Sequence, residues 1–459
     1  MHLGHRGIVF PFKQGKTMRH NLNTKHISPT IKGKNPTTRK KIVTDMNQNQ
    51  RPNYTFALIV VFIVCFLIGF ITTMNNSMIA FCSEAFKLTA QQGQYVNTAF
   101  YGAYLLSIPF ALLMSKIGYK NTLILGLAVS GVGFIVNSIG INNAIAAGIN
   151  VYAIFLASMC LVAMGVVMLQ NVANPYVMVL GSPEKGAFRM TLSQALNSVA
   201  TTVAPLFVTY VIINGKNPAP EYVPGPFMGL GAFAIIICII LVFLKLPRID
   251  EAKQAEEAGG VHKEYKSSVF KYPHVWLGAL GIFMYMGVEI GVPSMLPYRF
   301  QLLYPDRDSA ALAALATQYL AFYWGGMMVG RFVGAGILTK FKPRVLLTAC
   351  LILSAVCIAL SLVLAGSMIG IWCMLAAGLF HSVMWPLIFN LGLQELGPHT
   401  KSATGVINTG VIGAAVLMPI MGTIVDLTGV IIAMCLLFVF YAYIIWFCNF
   451  GSKIGIDVK

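Results

Sequence analysis

Beyond Tyr54 the chain alternates between long apolar runs and short polar breaks. Twelve runs are long enough for an α-helix to cross the hydrocarbon of a bilayer, which takes about 20 residues. The pattern therefore predicts an all-α membrane protein with twelve transmembrane helices. The runs cover residues 55–81, 92–114, 121–140, 149–180, 189–213, 226–246, 272–296, 311–338, 344–365, 367–393, 402–426 and 428–449.

One long charged break, Pro247 to Tyr272, leaves six apolar runs on each side. This symmetry predicts two six-helix bundles with a shared cavity between them, as in many transporters. The basic residues before the first run have no hydrophobic period, so we expect them to be disordered. The predicted organisation is a basic cytoplasmic tail over 1–53, bundles over 54–246 and 272–450, a cytoplasmic linker over 247–271 and a tail over 451–459.

Composition agrees with a membrane protein, because only 10% of residues are charged whereas soluble domains have about 25%. The net charge of +17 resembles that of a nucleic-acid-binding protein, but eleven lysines and arginines lie in residues 1–51 against one acid, Asp45. We therefore expect no nucleic-acid partner. Met18 and Met46 are alternative starts, and we expect much of residues 1–45 to be dispensable.

Lysine and arginine also predict the orientation. They are concentrated in the loops that follow even-numbered runs, although Lys87 and Arg299 dilute the contrast. Because basic loops stay in the cytoplasm, we expect both termini there.

Polar side chains inside the runs are the candidate functional groups. Gln170 and Asn174 are four residues apart, on one face of a helix. Facing lipid, their amides would lack hydrogen-bond partners. They face either a water-filled cavity or another helix, to which they would hydrogen-bond. Similar amide pairs recur on other runs, which favours the cavity.

These recurring groups form the predicted substrate site. Amides and hydroxyls suit sugar hydroxyls because they offer both donors and acceptors, and aromatic rings can stack on a sugar. The candidates in the first half are Asn75, Asn76, Gln94, Asn97, Tyr101, Gln170, Asn174, Gln194 and Asn197. Those in the second half are Tyr285, Gln318, Trp324, Trp385 and Asn390.

Ionisable residues inside membrane segments are functional candidates by default. Glu289 is the one acid placed well inside an apolar run; it would carry a coupling proton or pair with a buried polar group. His381 would titrate near neutral pH or hydrogen-bond between helices. Arg189 and Arg331, near run ends, are predicted gating residues.

Catalytic motifs are absent from the sequence. No H-E-x-x-H, G-x-S-x-G or Walker A pattern occurs, so we expect no enzyme and no use of ATP. None of the nine cysteines forms a Cys-x-x-Cys pair, and we expect neither a metal nor a cofactor.

Four segments resemble the fucose:proton symporter family of the major facilitator superfamily. They are Ala99–Pro109 with Lys116–Lys120, Leu169–Tyr176 with Leu180–Gly181, Arg189–Ser198, and Met384–Phe389 with Leu396–Lys401. The resemblance implies twelve helices, alternating access and uptake of small neutral sugars such as fucose, galactose or glucose.

The chain departs from this family at the proton carriers. The family's first helix usually has an Asn-Asp pair whose aspartate is thought to take the coupling proton, whereas this chain has Asn75 and Asn76. Some relatives have a glutamate where this chain has Gln170. Amides do not exchange protons in the physiological range. Either Glu289 carries the proton, or another ion is coupled, or the protein is a facilitator.

The sequence thus predicts a monomeric sugar permease of a bacterial inner membrane. Its expected partners are a sugar, protons or another coupling ion, and the bilayer. Alternative functions are a permease for an amino sugar, a nucleoside or a drug-like compound, and a non-transporting membrane sensor on the same fold.

Overall fold

The computed structural model describes residues 55–180, 186–244, 268–338, 340–396 and 399–455. The predicted N-terminal tail and nearly all of the predicted linker lie outside these ranges.

The described chain folds into twelve long helices, so the predicted fold class is confirmed. The first half contains α1 (Thr55–Ala85), α2 (Ala90–Met114), α3 (Lys116–Ala147), α4 (Val151–Val179), α5 (Gly186–Phe207) and α6 (Pro224–Phe243). The second half contains α7 (Pro273–Leu303), α8 (Ser309–Leu338), α9 (Pro343–Val363), α10 (Met368–Gly392), α11 (Ser402–Thr428) and α12 (Val430–Asn449).

Eleven helices in the described ranges are long and apolar enough to cross a membrane. The other long helix, α8, has 30 residues and is about 45 Å long at 1.5 Å per residue, which exceeds the thickness of the hydrocarbon core. Large apolar side chains such as Phe243 and Val363 are exposed on the outside of these helices, where a bilayer would cover them.

Local signals in the sequence set several helix ends. The Thr89 hydroxyl accepts a hydrogen bond from the Gln92 amide, and the Gln92 side chain accepts one from Thr89 N–H, which completes a capping box at the start of α2. Asn150 caps α4 in a similar way. Gly118 makes a kink near the start of α3, with a φ of +80°, a conformation that favours glycine.

Two helices are broken near the middle of the protein. α7 consists of Pro273–Glu289, Gly291–Ser294 and Leu296–Leu303, and α10 consists of Met368–His381 and Met384–Gly392. Irregular backbone at membrane depth is tolerated where it lines a cavity or is buried in protein. Both breaks lie beside the candidate site described below.

The two halves meet along α2 and α11, which are antiparallel. A Cβ added at Gly422 would lie 2.7 Å from Cα of Gln91, so glycine permits the close approach. The Asp426 carboxylate accepts hydrogen bonds from the backbone N–H groups of Ala90 (2.7 Å) and Gln91 (2.8 Å), where a helix N-terminus favours negative charge. We call this end of the bundle the far end, and the end where α6 finishes and α7 begins the linker end.

Candidate functional site

A cavity of about 330 Å³ lies between the two halves. Its walls come from α1, α2, α4 and α5 on one side and from α7, α8, α10 and α11 on the other. Among the predicted site residues, eight line it: Tyr101, Gln170, Gln194, Asn197, Glu289, Trp324, Arg331 and Trp385.

The wall of the first half is neutral. The Gln170 side-chain oxygen accepts a hydrogen bond from the Tyr104 hydroxyl. Asn197 donates from its amide to the carbonyl oxygen of Cys65 over 3.0 Å. A Cβ added at Gly69 would lie 2.6 Å from Nδ2 of Asn197, so the absence of a side chain at Gly69 lets α1 and α5 approach and holds this amide at the cavity.

The wall of the second half contains the charges. Glu289 is the one acid among the lining residues and Arg331 the one base, and the two side chains interact electrostatically. The two indoles, Trp324 and Trp385, lie on the same wall. Trp385 stacks on Phe389 with ring centroids 4.8 Å apart.

Arg331 connects the halves on the linker-end side of the cavity. Its Nη1 donates to Oγ of Ser198 over 2.7 Å and to Oδ1 of Asn197 over 3.4 Å, both in α5. Its Nε donates to the carbonyl oxygen of Ser382 over 3.4 Å, in the break of α10. One guanidinium therefore joins α5, α8 and α10, a geometry that suits its predicted gating role.

His381 is fully buried in a network behind this wall. Its Nδ1 lies 2.7 Å from the Tyr323 hydroxyl, and its Nε2 lies 2.6 Å from Oγ of Ser354 and 2.7 Å from the Tyr441 hydroxyl. The Tyr323 hydroxyl also donates to the main-chain oxygen of Glu289 over 2.9 Å. The network links α7, α8, α9, α10 and α12, which supports the second interpretation of His381, a hydrogen bond between helices.

Four predicted substrate ligands lie elsewhere, towards the far end. Asn75, Asn76, Gln94 and Asn97 are at most 2% exposed and do not line the cavity. Together with Ser294 of α7 they form what we call the far-end amide cluster.

Within this cluster, Oγ of Ser294 accepts hydrogen bonds from Nδ2 of Asn76 over 3.0 Å and from Nδ2 of Asn97 over 3.3 Å. Asn97 also donates to Gln94 over 3.0 Å and accepts from Asn75 over 3.4 Å. In this conformation the amides connect the halves to each other and do not face the cavity.

The remaining predicted residues are scattered. The Tyr285 hydroxyl donates to the carbonyl oxygen of His381, and neither Tyr285, Gln318 nor Asn390 lines the cavity. Arg189 donates to the carbonyl oxygen of Val177 over 3.0 Å, which joins α4 to α5 within the first half; its gating role stays a prediction.

Asn174 belongs to α4, but its side chain lies outside the described residues.

Sequence reasoning missed two polar groups. Tyr104, which holds Gln170, sits in an aromatic-rich apolar run and carries no distinct signal. Ser294, the acceptor at the centre of the far-end amide cluster, follows Pro293 at the break in α7, and that proline is the signal that could have indicated an irregular helix.

Residues 61–419 match the family model described as Major Facilitator Superfamily. The chain belongs to this superfamily. One relative, named glucose/galactose transporter, from Brucella abortus, is 34% identical over 415 residues, which cover 88% of this chain and 96% of the relative. The putative glucose/galactose transporter of Helicobacter pylori is 33% identical (88% and 98% covered), and the L-fucose-proton symporter of Escherichia coli is 26% identical (89% and 96% covered). The family resemblance seen in the sequence is confirmed.

Solved structures of this superfamily share the fold. A variant of the E. coli fucose:proton symporter matches with a TM-score of 0.63 at 23% identity, covering 87% of this chain and 99% of that one. The D-xylose-proton symporter matches with a TM-score of 0.64 at 13% identity, covering 87% and 98%. Twelve helices in two bundles are thus the architecture of this chain and of these transporters.

Proposed function

We propose that this protein is a sugar permease that moves a small neutral monosaccharide across the membrane by alternating access of two six-helix halves. The observation that carries the proposal is the cavity between the halves, with amides and phenols on one wall and indoles on the other. The names of the relatives, glucose/galactose transporter and L-fucose-proton symporter, support the same substrate class.

The size and polarity of the cavity suit a sugar. Its volume of about 330 Å³ is at the lower end of the range for small-molecule sites, about 300–1,000 Å³. A sugar hydroxyl both donates and accepts, so it can pair with Gln170, Gln194 or Asn197. An apolar drug offers these amides no hydrogen bond and would only shield them from water, which costs free energy.

Glu289 is the proposed proton carrier if the protein is a symporter. Among the described cavity-lining residues it is the only acid, and the first half has neutral Asn76 and Gln170 where relatives are thought to exchange protons. Its side chain lines the cavity and interacts electrostatically with Arg331, which hydrogen-bonds to α5 of the first half.

Counterflow in proteoliposomes is the test of this function. Purified protein would be reconstituted, and exchange of radiolabelled glucose, galactose, fucose and N-acetylglucosamine would be measured, because counterflow needs no coupling ion. We expect exchange of at least one neutral hexose. Exchange of N-acetylglucosamine alone would favour an amino-sugar permease, and sugar binding without exchange would favour a non-transporting sensor.

Coupling is tested by imposing a pH gradient or a sodium gradient on the same vesicles. Accumulation driven by the pH gradient would support a proton carrier, and accumulation driven by sodium would assign another ion. Exchange without accumulation under either gradient would identify a facilitator.

Gln170 gives a first mutational test of the site. Gln170→Ala removes an amide from the cavity and leaves the Tyr104 hydroxyl without its acceptor. One hydrogen bond contributes about 0.5–1.5 kcal/mol, so we expect the half-saturating sugar concentration to rise about 2–12-fold. The matched control is Gln318→Ala, which removes an amide that does not line the cavity. Equal behaviour of the two variants would contradict the site.

We also propose that the protein resides in a bacterial inner membrane, with the linker end in the cytoplasm. Lys116 and Lys120 lie at the start of α3 at this end, and Lys120 donates to the carbonyl oxygen of Val242 at the end of α6 over 3.0 Å. Reporter fusions at the C-terminus that are active only in the cytoplasm would test the orientation.

A further inference from the structure

Most polar side chains that line the cavity already have partners within the protein. Gln170 is paired with Tyr104, and Asn197 is paired with Cys65 and Arg331. The hydroxyl of Thr72 donates to the carbonyl oxygen of Ile68. The paired atoms of these side chains can bind a ligand only by sharing or exchanging a hydrogen bond.

Two lining residues differ from the others. The hydroxyl oxygen of Tyr101 and Nε1 of Trp324 are buried and have no hydrogen-bond partner among the described residues. Their side chains are 1% and 4% exposed. Tyr101 belongs to α2 of the first half and Trp324 to α8 of the second, so each half contributes one such group.

A buried donor without a partner destabilises a protein, and these two can gain partners from a molecule in the cavity. The indole Nε1 only donates, whereas the phenol donates and accepts. The complementary ligand therefore presents an acceptor oxygen to Trp324 and a second polar oxygen to Tyr101. Two hydroxyls of one sugar meet both requirements.

The surroundings of each group support this function. The Tyr101 ring lies 6.2 Å from that of Tyr104, centroid to centroid, and both residues line the cavity together with Glu289. Trp324 packs edge-on against Tyr323, with ring centroids 5.1 Å apart, and Tyr323 is fixed by hydrogen bonds to His381 and Glu289. The indole is thus held by a rigid support.

We propose that Tyr101 and Trp324 read the hydroxyl pattern of the transported sugar, one residue from each half, and so determine which monosaccharide is accepted. The proposal rests on the sugar permease function proposed above. A site built to hydrogen-bond a hydroxyl rejects an analogue that lacks it, because the buried groups of the site stay unpaired. Both polar atoms are shielded in this conformation, so the contacts form as the halves move around the sugar.

The test is a series of monodeoxy sugars. Counterflow of the preferred hexose would be inhibited with each of its 2-, 3-, 4- and 6-deoxy analogues, in the wild-type protein and in the variants Trp324→Phe and Tyr101→Phe. Each variant keeps the ring and deletes the polar atom. Trp372→Phe and Tyr210→Phe, which alter exposed rings outside the cavity, are the matched controls.

We expect the wild-type protein to bind at least two of the deoxy analogues more weakly than the parent sugar, by about 3–10-fold for each lost hydrogen bond. Trp324→Phe should abolish the discrimination at one hydroxyl position and Tyr101→Phe at a different one, while the control variants retain both. Discrimination is a ratio within one variant, so it is independent of how much protein folds; the thermal midpoint in detergent checks that each variant is folded.

The outcomes separate the two proposals. Wild-type exchange of a hexose, with undiminished discrimination in both variants, would overturn the role of Tyr101 and Trp324 and leave the permease function standing. Absence of exchange for every sugar in the wild-type protein would overturn the permease function and this role together. A variant that does not fold would be replaced by Trp324→Tyr or Tyr101→His, which move the polar atom and should shift the discriminated position; discrimination identical to the wild type would overturn the role.

Discussion

The two halves of this protein meet at one interface, but they contribute different kinds of side chain to it. Wherever they meet or line the cavity in the described chain, the first half offers amides, hydroxyls and backbone groups, while the charged side chains, Glu289, Arg331 and Asp426, come from the second half. A neutral surface needs little reorganisation to bind a neutral sugar, whereas a charge responds to protons and to a moving partner. From this comparison we predict that the first half contributes much of sugar binding and the second half the driving and gating steps.

Glu289→Gln should have the largest effect on transport, because it removes the acid that the second half contributes to the cavity. The amide keeps the shape of the side chain and one acceptor oxygen but takes up no proton. If protons are coupled, we expect accumulation under an imposed pH gradient to disappear while counterflow persists, as measured with radiolabelled sugar in proteoliposomes.

Glu84→Gln is the control for this change, because Glu84 is an acid of the first half that pairs with Lys87 outside the cavity. Full accumulation by Glu289→Gln would show that the charge of the second half does not drive transport.

Arg331→Gln should have the next largest effect, because it removes the charge that joins α8 to Ser198 and Asn197. Hydrogen bonds to charged groups contribute about 1.5–3 kcal/mol, which corresponds to a shift of about 10–100-fold in the opening equilibrium. We expect a cysteine introduced at Ala335, in the cavity wall, to be alkylated faster by a similar factor from the linker end.

The control for this variant is Arg344→Gln, since Arg344 hydrogen-bonds to Gln394 within the second half. An unchanged alkylation rate in Arg331→Gln would show that the guanidinium does not keep the cavity closed at this end. Other contacts between the halves would then close it.

The sequence predicted the fold well because membrane helices follow from length and hydrophobicity alone. The candidate residues fall on seven of the eight helices that line the cavity, with α11 the exception, since amides inside apolar runs need polar surroundings. The sequence did not predict how far along the bundle, from the linker end to the far end, each residue lies. Asn75 and Asn97 look like Gln170 in the sequence, but they lie in the far-end amide cluster and not at the cavity. Only the packing of α7 against α1 and α2 determines this position.

The same limit explains Tyr104 and Ser294. A tyrosine within an apolar run packs in a core as readily as it binds a polar partner, and a serine beside a proline commonly bonds to its own backbone. Their partners, Gln170 and the amides of Asn76 and Asn97, are distant in sequence. Such pairings depend on tertiary contacts that no local pattern encodes.

The smallest effect we predict concerns the far-end amide cluster. Removing either partner of one hydrogen bond in it should destabilise the protein by a different amount. Ser294→Ala leaves Nδ2 of Asn76 without its partner and takes one of two acceptors from Asn97, so it should destabilise the closed protein by about 1–3 kcal/mol. Asn76→Ala removes one hydrogen bond but also removes Oδ1 of Asn76, which has no partner among the described residues. The second change should therefore cost less than the first.

Thermal unfolding of the two variants in detergent measures this difference, with Ser367→Ala as the control. Ser367 caps α10 and lies outside the cluster; its loss should cost about 1 kcal/mol and leave the far end intact. A larger loss for Asn76→Ala than for Ser294→Ala would mean that the asparagine oxygen is satisfied in solution.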